Sequence, residues 1–412
     1  MGASVGAKRQ VALRAAAPDQ RLPSQRLPSR RLPSQRLPGL DLLRAIAISW
    51  VLLYHASIYD LVPDGSPLVD FGWMGVDLFF TLSGFLIGSQ LFRPMACGER
   101  LDFGRFYLRR ALRTLPAYLV VVGVYFAWPA ARETPAIQPL WQFLSFTENL
   151  FIQVSHGKAF SHVWSLCVEE QFYLVFPLVV ALLALRPRWW KTAAASALVL
   201  LGGMALRGVI WMHVATPHHG AAPVAYMEGI YYPTWTRLDD LLGGVLAAAL
   251  RCFYPRRWDA ALRRPNATLA LGILGVAAST VFFHDQIPDL VPAVLGYPLL
   301  ALCLTLTVAA ASSERCIIGR YRVPGAGALA TGAYSIYLSH KMLFRFVQVH
   351  FASALAPYPL AGLVVAVLVA LAVGAALYWG VERPFLRLRD RLDGRVRHPV
   401  AHSPDSPRLQ QA

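Results

Sequence analysis

Arg44 and His55 stand eleven residues apart within one apolar stretch. In a helix eleven residues make about three turns and about 16 Å of rise. Eleven steps of about 100° return to within about 20° of the starting direction, so both side chains share a face. That face carries a fixed cation toward one end and a titratable base toward the other. An imidazole with a pKa near neutrality suits removal of a proton from a hydroxyl, and a guanidinium suits an anion, phosphate above all. Taken singly, Arg44 reads as a snorkelling arginine and His55 as an interhelical hydrogen-bonding group. The shared face is what favours chemistry.

Other ionisable groups fall in apolar stretches, where each costs at least about 2.5–3.5 kcal/mol at mid-span. Asp77, in Gly75-Val-Asp77-Leu-Phe-Phe, is expected at a depth similar to that of His55, where a carboxylate could orient the imidazole. Glu169 and Glu170 adjoin each other in Trp164-Ser165-Leu-Cys-Val-Glu169-Glu170-Gln171-Phe-Tyr173. One of them would face the reaction while its neighbour pairs with a cation. His340, in Tyr334-Ser335-Ile-Tyr337-Leu-Ser-His340-Lys341, is a second buried imidazole. Arg237 with Asp239 and Asp240 reads as a local ion pair. Arg109, Arg110 and Arg113 form a cationic ridge at the entry to the third apolar stretch, suited to bidentate phosphate binding. Ser83-Gly84 reads as a helix-packing site.

The elements that must hold these groups are membrane spans. Of 412 residues, 56% are hydrophobic and 15% charged, against about 45–50% and about 25% in soluble domains. Ten stretches can cross a hydrocarbon core of about 30 Å: 40–58, 72–92, 114–129, 162–185, 192–214, 233–250, 266–283, 290–311, 325–350 and 358–381. Residues 139–154 are shorter and interrupted, and read as interfacial or re-entrant. Of the 39 Lys and Arg, 32 fall in the tails and alternate loops, five lie within spans, and only Arg132 and Lys158 fall on the other side. Such a bias places both termini in the cytoplasm. The net charge of +16 follows this pattern rather than a basic patch, so nucleic acid is not an expected partner. The expectation is an all-α polytopic membrane protein with about ten transmembrane helices, in a bacterial inner (plasma) membrane.

Residues 1–39 form a basic tail with a repeated Arg-Leu-Pro-Ser unit, whose prolines forbid a helix. It is expected to be disordered, and 387–412 to be a second cytoplasmic tail. No cleavable signal peptide is expected ahead of the first span. The five cysteines lack CxxC spacing and accompanying histidines, so neither disulfide nor metal is expected.

These stretches together resemble the membrane-bound acyltransferase-3 family, whose members acylate sugars of surface polysaccharides, lipopolysaccharides and some antibiotics. The resemblance rests on Arg44 with His55, Gly75-Val-Asp77-Leu-Phe-Phe with Ser83-Gly84-Phe85, and Phe106-Tyr-Leu-Arg109-Arg110-x-x-Arg113-x-x-Pro116. It continues through Trp164-Ser165-Leu with Glu169-Glu170-Gln171-Phe-Tyr173, Tyr334-Ser335-Ile-Tyr337-Leu with His340, and Val381-Glu382-Arg383-Pro384-Phe385. Leu42, Leu43 and Cys167 depart from common family residues without touching a proposed catalytic group. The resemblance implies a membrane acyltransferase domain over 40–386 with no bound cofactor; the C-terminal hydrolase-like domain that some members carry is not expected here. Acyl-CoA, usually acetyl-CoA in that family, is the implied co-substrate, and a glycan or glycolipid such as exopolysaccharide or lipopolysaccharide is the implied acceptor. Arg44, Arg109, Arg110 and Arg113 are then expected to hold the phosphates of coenzyme A, and His55 to act as base. Asp77, Glu169 or Glu170 would orient His55, His340 or Tyr337 would stabilise the oxyanion, and Trp164 and Tyr173 with Tyr337 would position substrate. The rival from another class is a polytopic secondary transporter of a small metabolite or glycan precursor, although no motif repeats between residues 40–214 and 233–381.

Overall fold

The computed structural model describes residues 37–62, 65–154, 159–214, 222–283, 289–355 and 357–396. The Arg-Leu-Pro-Ser repeat, Lys158 and residues 397–412 lie outside the described residues. Every regular element among the described residues is helical. The principal helices are α1 (Pro38–Ile58), α2 (Met74–Ala96), α3 (Phe103–Ala127), α4 (Trp164–Leu185), α5 (Trp189–Val214) and α6 (Asp239–Phe253). They continue with α7 (Pro265–Ser279), α8 (Tyr297–Ala311), α9 (Ala326–Leu355), α10 (Pro359–Leu377) and α11 (Arg383–Val396).

Eight helical segments among the described residues, built on α1–α5, α7, α8 and α10, are long and apolar enough to cross a membrane. The chain is a multi-pass membrane protein. Two of the ten expected spans do not meet that description. The stretch 233–250 is broken: Thr234–Thr236 forms one tight turn, and α6 follows with only 15 residues, about 22 Å. The stretch 325–350 lies in α9, which at 30 residues is long enough. It is diluted by Tyr334, Ser335, Ser339, His340 and Lys341. Residues 139–154 form only short turns, Leu140–Leu144 and Glu148–Leu150, as an interrupted apolar segment should.

Local rules account for several helix boundaries. Prolines occupy the first turns of α1, α7 and α10, where the missing N–H is not needed. Asp102 caps α3, its carboxylate accepting the Arg105 N–H at 2.9 Å. The cap starts the helix at Phe103, so the arginine ridge stands on α3 itself rather than in a preceding loop. Helices α2 and α6 cross at backbone contact. A Cβ on Gly84 would lie 2.1 Å from the Leu241 carbonyl oxygen, and one on Gly244 would lie 2.2 Å from that of Thr81. Only glycine permits this approach, and it brings the polar groups of both helices into one buried site.

Residues 387–396, expected as the start of a cytoplasmic tail, belong to α11 (Arg383–Val396). It lies against α3 through Asp393, which meets Arg105 at 2.8 Å and Arg109 at 2.7 Å.

Candidate active site

Helices α1 and α9 carry His55 and His340 to within a hydrogen bond, His340 Nε2 to His55 Nδ1 at 2.9 Å. The other nitrogen of His340, Nδ1, lies 2.7 Å from the Tyr337 carbonyl oxygen. A carbonyl only accepts, so His340 Nδ1 carries a hydrogen. In neutral His340 the Nε2 is then the acceptor, and His55 Nδ1 must donate to it. His55 Nε2 is left with a free lone pair, and His55 is half-buried where His340 is fully buried. Such a pair can act as an oriented base, with His340 fixing the tautomer and direction of His55 but without the negative charge that a triad carboxylate adds.

Around the pair stands a polar wall. The His162 ring lies 4.9 Å from that of His340 and 6.3 Å from that of His55, centroid to centroid. His162 Nε2 faces the Leu338 carbonyl at 3.3 Å. The Tyr337 hydroxyl donates to the His162 carbonyl at 2.9 Å and meets Ser165 Oγ at 2.6 Å. That hydroxyl braces α4 against α9, and its hydrogen is already committed. Lys341 Nζ donates to Ser161 Oγ at 2.9 Å. Beyond the spans, burial pushes the Glu148 carboxyl well above the usual carboxylate range, against the opposing pull of Lys341.

Asp77 does not reach His55. It is ion-paired to Arg237, and both side chains are fully buried. The Arg237 guanidinium is enclosed by the rings of Tyr297, Tyr231 and Trp164, at 4.3, 4.8 and 5.6 Å from their centroids. Trp164 thus serves as a wall of this cation cage. The expected local pair of Arg237 with Asp239 or Asp240 is replaced by two long-range ones, since Asp239 binds Arg207 of α5 through both oxygens at 2.6 and 3.2 Å. Depth alone does not choose between partners. The glycine-mediated approach of α2 to α6 puts Asp77 beside Arg237, while His55 turns toward α9.

Glu169 is also bound elsewhere, accepting from Ser83 Oγ at 2.7 Å and from the Tyr173 hydroxyl at 2.8 Å. Ser83 is therefore a ligand of Glu169 as well as a small packing residue. Glu170 interacts electrostatically with Arg110 and Arg113. These carboxylates stand at the arginine end of the site. Arg110 lies over the Tyr173 ring at 4.1 Å. Arg44, 3.7 Å from Asp41, interacts with the charges of Arg113 and Arg110. The ridge divides: Arg110 and Arg113 turn inward with Arg44, and Arg109 turns outward to Asp393. Polar side chains link the two ends, with the Tyr334 hydroxyl donating to the Thr114 carbonyl at 2.9 Å and Tyr337 interacting with Glu169.

The structure thus brings together His55, His340 and Tyr337 at one end, and Arg44, Arg110, Arg113, Tyr173, Glu169 and Glu170 at the other. It sets Asp77 and Trp164 to one side. His162, Ser165 and Lys341 join the first group without having been singled out from sequence. Their signal was present as polar residues in apolar stretches, next to residues already marked.

Residues 37–379 match the model of the acyltransferase-3 domain family, described as an acyltransferase domain. The O-acetyltransferase OatA of Staphylococcus aureus is 26% identical over 334 residues, 77% of this chain and 52% of that protein. The peptidoglycan O-acetyltransferase OatA of Listeria monocytogenes is 26% identical over 321 residues, 73% of this chain and 48% of its own length. The putative peptidoglycan O-acetyltransferase YrhL of Bacillus subtilis is 29% identical over 243 residues, 55% of this chain and 35% of that protein. The chain spans about half the length of the first of these relatives. No solved structure matches it.

Proposed function

Because the chain belongs to the acyltransferase-3 family, we propose that it is an integral membrane O-acyltransferase moving an acyl group, acetyl in the simplest case, from cytosolic acyl-CoA to a hydroxyl of a cell-envelope glycan. The observation that carries this reading is the oriented pair of His55 and His340, with an unshared lone pair on the half-buried His55. The charge bias supports ten crossings, with both termini and the arginine end facing the cytoplasm of a bacterial inner membrane.

In this reading Arg44, Arg110 and Arg113 hold the phosphates of coenzyme A, and the pantetheine arm follows the polar track toward His55. The acceptor hydroxyl gives its proton to His55 Nε2 as its oxygen bonds to the thioester carbonyl carbon. His340 Nε2 accepts the His55 Nδ1–H throughout and stabilises the imidazolium. The tetrahedral intermediate collapses, the C–S bond breaks, and the thiolate of coenzyme A takes the proton from His55. The ester and the free thiol are the products, and no acyl-enzyme is required. The names of the relatives make peptidoglycan an acceptor to test beside lipopolysaccharide and exopolysaccharide.

The test is transfer of label from acetyl-CoA into envelope glycan by inverted vesicles carrying the protein. Transfer that is lost in His55→Ala, with the variant still folded and inserted, is the expected result. Full transfer by His55→Ala overturns the mechanism.

A further inference from the structure

Two buried groups beside the base have hydrogen-bonding capacity that the protein leaves unused. His162 is 2% exposed. Its Nε2 faces the Leu338 carbonyl and so carries the ring hydrogen in the neutral form. Its Nδ1 is then an acceptor, and no group among the described residues bonds it. Lys341 is 8% exposed. Its amine carries up to three N–H donors, and among the described residues its one hydrogen bond is to Ser161 Oγ. A buried polar group with unmet hydrogen-bonding capacity is costly, and here one wall holds an acceptor with no protein partner among the described residues and an amine with N–H donors to spare beyond Ser161, under the more distant charges of Glu133 and Glu148. Ser161, bonded to Lys341, immediately precedes His162, and Lys341 immediately follows His340. The charge of Lys341 is felt at all three imidazoles.

An apolar neighbour would satisfy neither group. A carboxylate or phosphate would satisfy the amine and meet the lone pair of the imidazole with repulsion. A hydroxyl serves both, accepting from an amine N–H and donating to an imidazole nitrogen. Neighbouring hydroxyls on a sugar ring present that combination within a few ångströms of the oxygen that reacts. We infer that His162 and Lys341 form the acceptor subsite, holding hydroxyls of the sugar adjacent to the one that His55 deprotonates. The inference rests on the acyl-transfer reading of the His55 site, and it names the ligand class as a neutral polyhydroxylated sugar ring. Both are positioning residues and decide which hydroxyl faces the base.

The experiment uses the full chain in proteoliposomes and compares His162→Phe, Lys341→Met and the conservative Lys341→Arg. Muramidase-released peptidoglycan fragments, stripped of acetyl esters by mild base, serve as one acceptor, and a lipopolysaccharide-derived oligosaccharide treated alike serves as the other. Binding of each fragment is read from tryptophan fluorescence without donor, and half-saturation for fragment and for acetyl-CoA is read from transfer. One lost hydrogen bond corresponds to about a ten-fold loss. His162→Phe and Lys341→Met are therefore each expected to weaken fragment binding about ten-fold and raise its half-saturation alike. Half-saturation for acetyl-CoA should stay unchanged, and Lys341→Arg should recover part of the loss. Fragment binding equal in all variants, or absent in wild type for both fragments, overturns the subsite. So does a fall in turnover with fragment half-saturation unchanged. Failure of the wild type to transfer label while fragment binding shows the expected losses would instead overturn the acyl-transfer reading and leave His162 and Lys341 as a sugar-binding site alone.

Discussion

Replacing Asp77 by alanine leaves the Arg237 guanidinium in the interior without its paired carboxylate. Both side chains are fully buried, so solvent does not screen the loss, and breaking one side of such a pair costs about 3–5 kcal/mol. Arg237 is also not saturated, since among the described residues its Nε and Nη1 have no hydrogen-bond partner, while Asp77 bonds to Asp240 as well. An ion pair of that kind is near neutral against apolar residues of similar volume. Asp77→Ala alone should therefore lower the melting temperature by several degrees, and Asp77→Leu combined with Arg237→Met should recover most of it. The assay is thermal unfolding in detergent followed by tryptophan fluorescence, with donor half-saturation measured in the same preparations. If Asp77→Ala melts with the wild type while acyl transfer is lost, Asp77 serves the base and the structural assignment is wrong. If the double variant is as unstable as the sum of the singles, the two residues do not form an energetic pair.

His340→Ala removes the acceptor of the His55 Nδ1–H, and turnover should fall by about 10²–10⁴-fold with donor half-saturation unchanged. Retained turnover in a pH–rate study would show that His55 is oriented by another group. Asp393→Asn frees Arg105 and Arg109 from a partly exposed pair, and because Arg109 turns away from the donor end, half-saturation for acetyl-CoA should stay unchanged; a drop of about two- to five-fold would return Arg109 to donor binding. Glu148 has its folded pKa raised by burial. Between the unfolded and folded values the native state holds more protons than the unfolded one, so stability falls as pH rises through that window. Glu148→Gln should flatten this decline in a series of melts from pH 4 to pH 9, and parallel curves for both proteins would refute the assignment.

How much was legible in the sequence depended on how many coordinates each inference needed. Arg44 and His55 needed only one helix, because covalent spacing sets both rise and direction. The structure keeps them on α1, with Arg44 toward Arg110 and Arg113 and His55 toward His340. The partner of Asp77 needed the rotation of α2 against α1 and α6. Depth in the bilayer supplies one coordinate of three, and it suits His55 and Arg237 equally. The stretch 233–250 misled for another reason: the apolar run after Asp240 hides how short the helix is once Pro233 and the turn at Thr234–Thr236 are removed. The amphipathic character of Arg383–Val396 was present in Leu386, Leu388 and Leu392 alternating with arginines. High charge there masked a helix that folds back on α3.

The backbone contact between α2 and α6 also bears on how the protein enters a bilayer. Helix α6, about 22 Å long with Asp239 and Asp240 at its start, is a poor passenger for the translocation machinery by itself. Its acidic end becomes acceptable only when Arg207 and the Asp77–Arg237 pair are at hand. Since α2 and α5 are synthesised first, they form a prepared slot, and Gly84 and Gly244 let α6 seat in it without rearrangement. The structure thus implies an order of assembly, in which α6 finds its buried ion-pair partners only once α2 and α5 are in place.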